Sequence, residues 1–361
     1  MTSLSPANLD RLAQLADTLD LMEGEPALIL AVVPGRAIQQ RLRAALPEAC
    51  AAIAIATPLE FHVSAEAEEI YRPLQAFLAA HSQDIMGAVA IVGLTELAGD
   101  GLDACLKDLN RSREQFRHSL ALPMVMWVDD RVRQRMTRQI NDFKTWTTAI
   151  VFEPEPELQQ EWFREQGEKI QRGIEQADEF QPNDRYLEAG DAQELRNFLQ
   201  QPIAEVCDRW QLPPDLAWEV RFWQGRHAFA QPGRAEEALT IFRDLFLDFP
   251  PEAETDAPDP LAPAPGDRRA KLRALVALHE AWVCYALEQA DAVVAASQRA
   301  FQYLRQSYEP TVWGRWWWQR WQVLLDAGQG QVVPAELEEA AALYEPLLEA
   351  AFEQWWPYAM I

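Results

Sequence analysis

Five short runs of apolar residues alternate with helical patterns in the first 150 residues, and this rhythm restricts the fold more than any other feature of the chain. Each run is continuously apolar, which is typical of a strand buried on both faces of a parallel sheet. Such strands separated by helices predict a doubly wound α/β domain. The predicted strands are residues 27–33, 51–57, 88–92, 123–128 and 149–152, and the predicted helices are residues 36–46, 64–80, 102–120 and 131–140.

Beyond about residue 158 the strand pattern stops, and apolar residues recur at every third or fourth position, which predicts helices. Residues 219–250 fit one tetratricopeptide unit, a helix pair with large, small and aromatic residues at fixed positions. Four later helical patterns, between residues 271 and 356, fit that consensus less well, and an irregular helical bundle is the alternative. The residues that fit are Phe222, Phe229, Ala238, Phe242 and Pro250, whereas Gly225 and Arg226 replace the usual Leu-Gly pair.

A change in composition marks the border between these two parts. Most of the acidic excess follows residue 150, and so do all but two of the 14 tryptophans. We therefore expect an N-terminal helix at residues 1–24, an α/β domain at residues 25–155 and an all-α helical-repeat domain at residues 156–361. Residues 250–267 are rich in proline and acidic residues, which predicts a solvated loop.

The charge of the chain argues against several partners. The chain has 56 Asp and Glu residues against 32 Lys and Arg, a formal net charge of −24, which opposes binding to duplex nucleic acid and to an anionic membrane. Uncharged segments are too short to insert across a bilayer. The first residues lack the basic start of a secretory signal, and the four cysteines form no C-x-x-C pair. We expect a cytoplasmic protein with reduced thiols.

The turn after the first predicted strand lacks the features of a phosphate-binding loop. It reads Pro34-Gly35-Arg36, whereas such a loop needs two glycines, a lysine and a Ser or Thr to hold a triphosphate and magnesium. The glycine pattern of dinucleotide-binding proteins is absent too, so no cofactor is predicted. Arg36 beside a helix N-terminus could attract an anion weakly, and an ordinary turn is the simpler interpretation.

Carboxylates follow the third and fourth predicted strands. Gly93 stands where an ATPase of the P-loop class would place its magnesium-organising Asp, and Glu96 follows three residues later. With Asp129 and Asp130, Glu96 could form a small cluster that holds Mg²⁺. Alternatively, Asp129 or Asp130 caps the helix that begins near Arg131. The five histidines lack metal-binding spacing and no nucleophile elbow occurs, so neither a metal site nor a catalytic residue is predicted.

Most basic residues of the first half lie between residues 107 and 144 and recur at helical spacing. They predict a docking surface for an acidic partner or for the acidic helical half of the chain, with a solvated helix face as the alternative. Single-stranded nucleic acid is a third possibility, which the field of the whole chain opposes. The residues predicted to bind a partner here are Arg111, Arg113, Arg117, Arg131 and Arg135, and Arg138 belongs to the same face.

Tryptophan is concentrated after residue 312. In a helix, Trp313, Trp317 and Trp321 would share one face, and Trp316 and Trp318 would flank it. Three consecutive tryptophans span too wide an arc to be buried by one neighbour, so either several elements enclose them or some of them await a partner. The candidate partner-binding residues are Trp313, Trp316, Trp317, Trp355 and Trp356.

Four segments of the first half occur in an order known from a bacterial protein family. They are Leu109-Asn-Arg-x-Arg-Glu-x-Phe116, Pro123-Met-Val-Met-Trp-Val128, Asn141-Asp-Phe-x-x-Trp146 and Val151-Phe152. With them the chain resembles the N-terminal region that precedes tetratricopeptide repeats in bacterial ATPases of the STAND and AAA-like type. The resemblance implies a sheet of the P-loop ATPase type, with residues 88–92 at the place of the magnesium-binding strand and residues 123–128 at that of the sensor strand. Asn141 stands where the family has proline, and the phosphate loop is missing, so the expected domain is a degenerate ATPase.

These features predict a non-catalytic protein–protein interaction module, such as a scaffold, an assembly factor or a regulatory adaptor. It would consist of a degenerate ATPase-like domain and an acidic helical-repeat domain, and the acidic surface favours a basic protein partner. The alternative is a nucleotide- or magnesium-dependent switch or enzyme that uses Glu96, Asp129 and Asp130, with Arg36 or Arg131 on the phosphate.

Overall fold

The computed structural model describes residues 4–81, 87–97, 99–119, 122–140, 147–177, 180–249 and 268–289, together with a few positions between 292 and 303. The chain divides into two compact units. The first contains the residues up to Gln166 and Leu187–Leu212, and the second contains Gly167–Tyr186 and the residues from Pro213 onward. The domain limits expected from the sequence remain a prediction, since compact units of the backbone need not fold independently.

A five-stranded parallel sheet forms the centre of the first unit. Its strands are β1 (Ala27–Val32), β2 (Leu59–His62), β3 (Val89–Val92), β4 (Pro123–Val128) and β5 (Thr147–Val151). They lie in the order β2-β3-β4-β1-β5, and all the pairings are parallel. β1, β3 and β4 are almost entirely buried, as their continuous apolar runs require. The prediction of an α/β fold with a parallel sheet is confirmed.

Helices make up most of the remaining described chain, and none of those described has the length and apolar character needed to cross a membrane. The first unit contains α1 (Pro6–Leu21), α2 (Arg36–Ala52), α3 (Tyr71–Ala80), α4 (Gly99–Arg111), α5 (Arg113–Ser119) and α6 (Asp130–Gln139). α7 (Pro156–Gln176) begins in the first unit and ends in the second. The first unit also contains α8 (Ala189–Leu199) and α9 (Ile203–Trp210), and the second contains α10 (Pro214–Phe229), α11 (Ala235–Asp248) and α12 (Arg268–Ala286).

The two faces of the sheet carry different helices. Leu28, Leu30 and Val32 belong to one core, which α3, α4, α5 and α6 complete. Ile29 and Ala31 alternate with them and are buried on the opposite face. The connection from β1 to β2 runs along the sheet in one direction and that from β4 to β5 in the other. Right-handed crossovers therefore place α2 and α6 on opposite faces.

The predicted strand at residues 51–57 is wrong. α2 continues to Ala52, and the chain then turns with Ala54 in the left-handed region (φ 63°). The second strand, β2, follows this turn as a half-exposed edge strand paired with β3. The alanines of the run are strong helix formers and bury little area in a sheet. A high apolar count alone therefore predicts this region wrongly.

Two helices of the structure differ from the predicted ones: one begins later, and the other is divided in two. The helix expected at residues 64–80 begins only at Tyr71, where the Asp108 carboxylate accepts hydrogen bonds from the main-chain amides of Ile70 (2.8 Å) and Tyr71 (3.0 Å). The helix expected at residues 102–120 is divided into α4 and α5 at Ser112. The cap on α3 comes from a residue distant in sequence, so no local pattern predicts it.

α10 and α11 form a helix pair at the position of the predicted repeat unit. The ring of Phe242 lies against Gly225, and Phe222 packs beside it with 6.0 Å between the ring centroids. Ala238 is buried too, whereas Pro250 lies outside the described residues. Helices after the sheet are confirmed for the described residues of the second part, and its tetratricopeptide character stays a prediction.

Gly225→Ala should destabilise the second unit by about 1–3 kcal/mol, because the new methyl group would overlap the ring of the fully buried Phe242. Alanine in place of glycine normally stabilises a helix by up to about 1 kcal/mol, so a loss here would come from packing. Urea denaturation followed by circular dichroism measures the change.

The matched control is Gly101→Ala in α4. Its Cβ would lie 3.5 Å from the carbonyl oxygen of Ala67, an ordinary contact, so this variant should be neutral or more stable. If Gly225→Ala proved as stable as Gly101→Ala, the close packing of α10 on α11 would be contradicted.

Candidate functional site

The carboxyl ends of β1 and β4 lie at the point of the sheet where ligands of open α/β domains bind. The connections that leave these two neighbouring strands run in opposite directions, which opens a crevice between them. Gly35 and Arg36 come shortly after β1, Gly93 follows β3, and Asp129 follows β4. The residues that the sequence suggests for nucleotide or magnesium chemistry therefore share one edge of the sheet.

A carboxylate of the chain itself occupies the N-terminus of α2. The main-chain amide of Arg36 donates a hydrogen bond to Glu194 Oε1 (3.1 Å). Glu194 belongs to α8 and is buried. A helix N-terminus attracts anions through its unpaired amides and its dipole. Glu194 thus takes a position at which a phosphate group could otherwise bind.

The guanidinium of Arg36 engages two further carboxylates. It forms an ion pair with Glu96, which follows β3, and its Nε lies 3.2 Å from Asp191 Oδ1 in α8. Asp191 also accepts a hydrogen bond from Trp162 Nε1 (3.2 Å). The absence of a side chain at Gly190 lets the Arg36 guanidinium lie against α8, because a Cβ at this position would overlap it. Both the main chain and the side chain of Arg36 therefore fix α8 over the crevice.

Gly35, the N-cap of α2, lies against α7. A Cβ at this position would be 2.6 Å from Gln159 Oε1 and 3.5 Å from Glu194 Oε1. The side chain of Gln159 is fully buried, and its amide has no hydrogen-bond partner among the described residues. Side chains from α7 and α8 therefore fill the crevice up to the backbone of the turn.

The three carboxylates of the predicted magnesium cluster are engaged separately. Glu96 pairs with Arg36. Asp129 caps α6, since its Oδ1 accepts a hydrogen bond from the amide of Val132 (2.6 Å). Asp130 forms ion pairs with two arginines. In the part of the chain that the structure describes, no three His, Cys, Asp or Glu side chains are grouped so as to hold a metal ion.

Gly93 adopts a conformation that favours glycine, with φ 96°. A Cβ there would lie 2.6 Å from the carbonyl oxygen of Val63. The amide of Val63 donates a hydrogen bond to Val92 O (2.9 Å) and so extends the pairing of β2 with β3. The position at which the resemblance implies a magnesium-organising acid has no room for a side chain.

Arg131 and Arg135 hold the segment that follows β3. Arg131 donates hydrogen bonds to the carbonyl oxygens of Thr95 (2.8 Å) and Leu97 (3.2 Å). Arg135 forms an ion pair with Asp103 (2.7 Å). Two of the arginines predicted to bind a partner therefore make contacts within the first unit.

The partner-binding role of Arg131, Arg135 and the other predicted residues stays a prediction. Arg111 is exposed, and Arg113 forms an ion pair with the exposed Glu114 (3.2 Å). The side chain of Arg117 is outside the described residues, and so are Trp313, Trp316, Trp317, Trp355 and Trp356.

Burial makes the ionised form of Glu194 unfavourable. Desolvation raises the pKa of Glu194 to about 7, and the nearby charge of Asp129 raises it too, whereas the Arg36 amide and the charges of Arg36 and Arg131 oppose the rise. Desolvation also raises the pKa of Asp129. Glu194 therefore gains and loses its proton in the neutral range.

Sequence analysis missed the contribution of α8. Gly190, Asp191 and Glu194 lie within about one turn of the helix. The only sequence signal is a Gly-Asp-x-x-Glu pattern, in a segment expected to belong to the helical domain. Glu194 is separated from Arg36 by 158 positions, so tertiary packing alone brings them together.

The second unit contains its own buried polar cluster, centred on Arg226. Its Nε donates to Asn183 Oδ1 (2.8 Å), its Nη2 donates to Gln181 O (2.6 Å), and its Nη1 bonds to His279 Nε2. The guanidinium lies 4.8 Å from the ring centroid of Phe180. A cavity of about 20 Å³ in the same unit has room for one water molecule and not for a cofactor.

The similarity of the chain to known proteins is slight. No family model matches the sequence, and no curated protein matches it. Among solved structures, the chain is similar to a DNA polymerase III, gamma subunit-related protein from Thermotoga maritima. The identity is 11%, the match covers 81% of this chain and 92% of the other, and the TM-score is 0.30. A likeness of this strength decides neither fold nor function.

Proposed function

We propose that the chain is a non-catalytic protein–protein interaction module. Its α/β domain would be a degenerate relative of the P-loop ATPases whose ligand crevice is closed by α8, and its helical part would be an acidic, tetratricopeptide-like repeat domain. The turn after β1 lacks the sequence of a phosphate-binding loop, which supports a domain without catalytic activity.

One observation carries the proposal: the hydrogen bond from the Arg36 amide to Glu194. In a nucleotide-binding α/β domain the amides at this helix end face phosphate oxygens. Here a buried carboxylate of the same chain accepts the hydrogen bond, and the adjacent guanidinium is paired with Glu96 and Asp191. A nucleotide would have to displace α8 and break these pairs before it could bind.

The helical part supports the interaction role. The pair formed by α10 and α11 packs through Phe222 and Phe242, two residues that fit the repeat pattern, and through Gly225. Stacked helix pairs form concave surfaces that bind peptides or subunits. The net charge of −24 favours a basic partner and a salt-dependent association.

The purified full chain should neither bind nor hydrolyse Mg²⁺-ATP or Mg²⁺-GTP. We expect no heat in calorimetric titrations at millimolar nucleotide and no release of inorganic phosphate above background. Glu96→Gln is the matched control for hydrolysis, because the alternative function needs this carboxylate and a contaminating ATPase would not. Saturable nucleotide binding, or turnover lost in Glu96→Gln, would replace the proposal with the nucleotide-dependent alternative.

The partner itself requires a second experiment. The tagged full chain is cross-linked in extracts of its source cells, captured and compared with a tag-only control by quantitative mass spectrometry. A protein enriched in this way should bind the purified chain directly, with an affinity that falls as salt rises. Failure to recover a direct binding partner, together with measurable nucleotide turnover, would remove the proposal.

A further inference from the structure

The crevice between β1 and β4 contains more acidic than basic groups. Among the described side chains, four carboxylates meet two guanidiniums, those of Arg36 and Arg131. The carboxylates come from three parts of the first unit: one from the segment after β3, one from the N-cap of α6, and two from α8. They are Glu96, Asp129, Asp191 and Glu194.

Both guanidiniums are engaged with groups other than Glu194. That of Arg36 pairs with Glu96 and Asp191. That of Arg131 donates to two main-chain carbonyls, and its Nε lies 3.7 Å from Asp129 Oδ2. Among the described residues, the hydrogen-bond donor to Glu194 is the main-chain amide of Arg36. An ionised Glu194 would thus be buried beside the charge of Asp129, with one neutral hydrogen-bond donor and with two guanidinium charges that offset the cost of its burial only in part.

Two uncharged side chains of α7 also lie at the crevice. Trp162 bonds to Asp191, and the amide of Gln159 is neutral. A proton on Glu194 would remove its repulsion from Asp129 and leave Oε1 free to accept the Arg36 amide hydrogen bond. Protonation should therefore strengthen the attachment of α8, whereas ionisation should weaken it.

We propose that Glu194 is a proton-operated latch that fastens α8 over the crevice, closed when its carboxyl group is protonated and loosened when that group ionises. Opening would expose the N-terminus of α2 and the guanidinium of Arg36 to solvent or to a partner. The ion pair of Arg36 with Asp191 also holds α8, and Glu194 adds the part of this attachment that depends on pH. The latch does not rest on the proposed function.

The direction of the pH effect follows from linkage. Burial raises the pKa of Glu194 to about 7, above its value in an open, solvated state. The closed state therefore binds more protons than the open state, and closure weakens as pH rises through about 7. The opening equilibrium changes by up to about tenfold per pH unit in the window below that pKa and levels off above it.

Hydrogen–deuterium exchange of the full chain at pH 5.5, 7 and 8.5 tests the latch. After correction for the intrinsic exchange rate, amides of Ala189–Leu199 should lose protection as pH rises by at least about tenfold over this range. Amides of α10, in the second unit, serve as the internal reference and should not follow the same curve. Protection of α8 that is constant with pH in the wild-type chain would overturn the latch without any variant.

Two variants separate Glu194 from other titrating groups. Glu194→Gln keeps an oxygen for the Arg36 amide and cannot ionise, so its α8 protection should be independent of pH and should exceed that of the wild type at pH 8.5. Glu188→Gln removes an exposed carboxylate at the start of the same helix and should behave as the wild type. A Glu194→Gln variant that keeps the wild-type pH dependence would overturn the proposal, and nucleotide titrations of either variant report separately on the proposed function.

Discussion

Arg36→Met should destabilise the first unit by about 3 kcal/mol, because it removes the counter-ion that Glu96 and Asp191 share. The partly buried carboxylate of Glu96 and the more deeply buried one of Asp191 would then lie near Glu194 without this positive charge. The main-chain amide bond to Glu194 would remain. Loss of the guanidinium also removes a charge that lowers the pKa of Glu194. The destabilisation should therefore be larger at pH 8, where an ionised Glu194 depends on this charge, than at pH 6, where Glu194 is mainly protonated.

Urea denaturation followed by circular dichroism at both pH values measures this loss. Arg43→Met is the matched control, since Arg43 lies in the same helix and pairs with Glu60 in a more exposed setting (side chains 24% and 37% exposed). That variant should lose no more than about 1 kcal/mol at either pH. Equal losses for the two variants would show that Arg36 is an ordinary surface arginine and would contradict its role in fixing α8.

Arg226→Met should destabilise the second unit by about 3–5 kcal/mol, because the guanidinium is fully buried and satisfies several buried acceptors at once. Asn183 and the carbonyl of Gln181 would lose their donor. His279 Nδ1 donates a hydrogen bond to Leu275 O (2.7 Å). Its Nε2 is therefore the acceptor of the hydrogen bond from Arg226 Nη1. Methionine replaces the aliphatic stem of the arginine but makes none of these hydrogen bonds.

The control for this second replacement is Arg234→Met. Arg234 pairs with Glu237 one turn along α11, and both side chains are more than two-fifths exposed. A surface pair of this kind contributes about 0.2–1 kcal/mol, so the two methionine variants should differ by at least about 2 kcal/mol in urea denaturation. If they lost the same small amount, Arg226 would not organise the core of this unit.

The buried centre of the sheet is the part of the fold that sequence reasoning predicts well. β1, β3 and β4 are enclosed on both faces, so their residues must be apolar without interruption, and the pattern is visible in the sequence. β2 is a short edge strand with one buried residue, Phe61. It has too few buried positions to leave a pattern, and the alanine-rich end of α2 resembles a strand more closely than β2 does.

The site is predictable only in its local parts. The carboxylate of Asp129 caps the next helix through an amide three residues away, so one of the two sequence interpretations already describes it. The missing phosphate loop is local too. The contact of Glu194 with the Arg36 amide joins residues 158 positions apart, and a Gly-Asp-x-x-Glu pattern on a helix does not indicate which surface it will meet.

The left-handed backbone at Gly93 limits which side chains this position can accept. A single Gly93→Asp exchange would supply an acid that the ATPase pattern has and this chain lacks, but its Cβ would lie 2.6 Å from Val63 O. That oxygen belongs to the main chain beside the edge of the sheet, and it cannot rotate away as a side chain can. A magnesium ligand at this strand tip would therefore require the ends of β2 and β3 to separate, a change of backbone that a one-residue replacement does not provide.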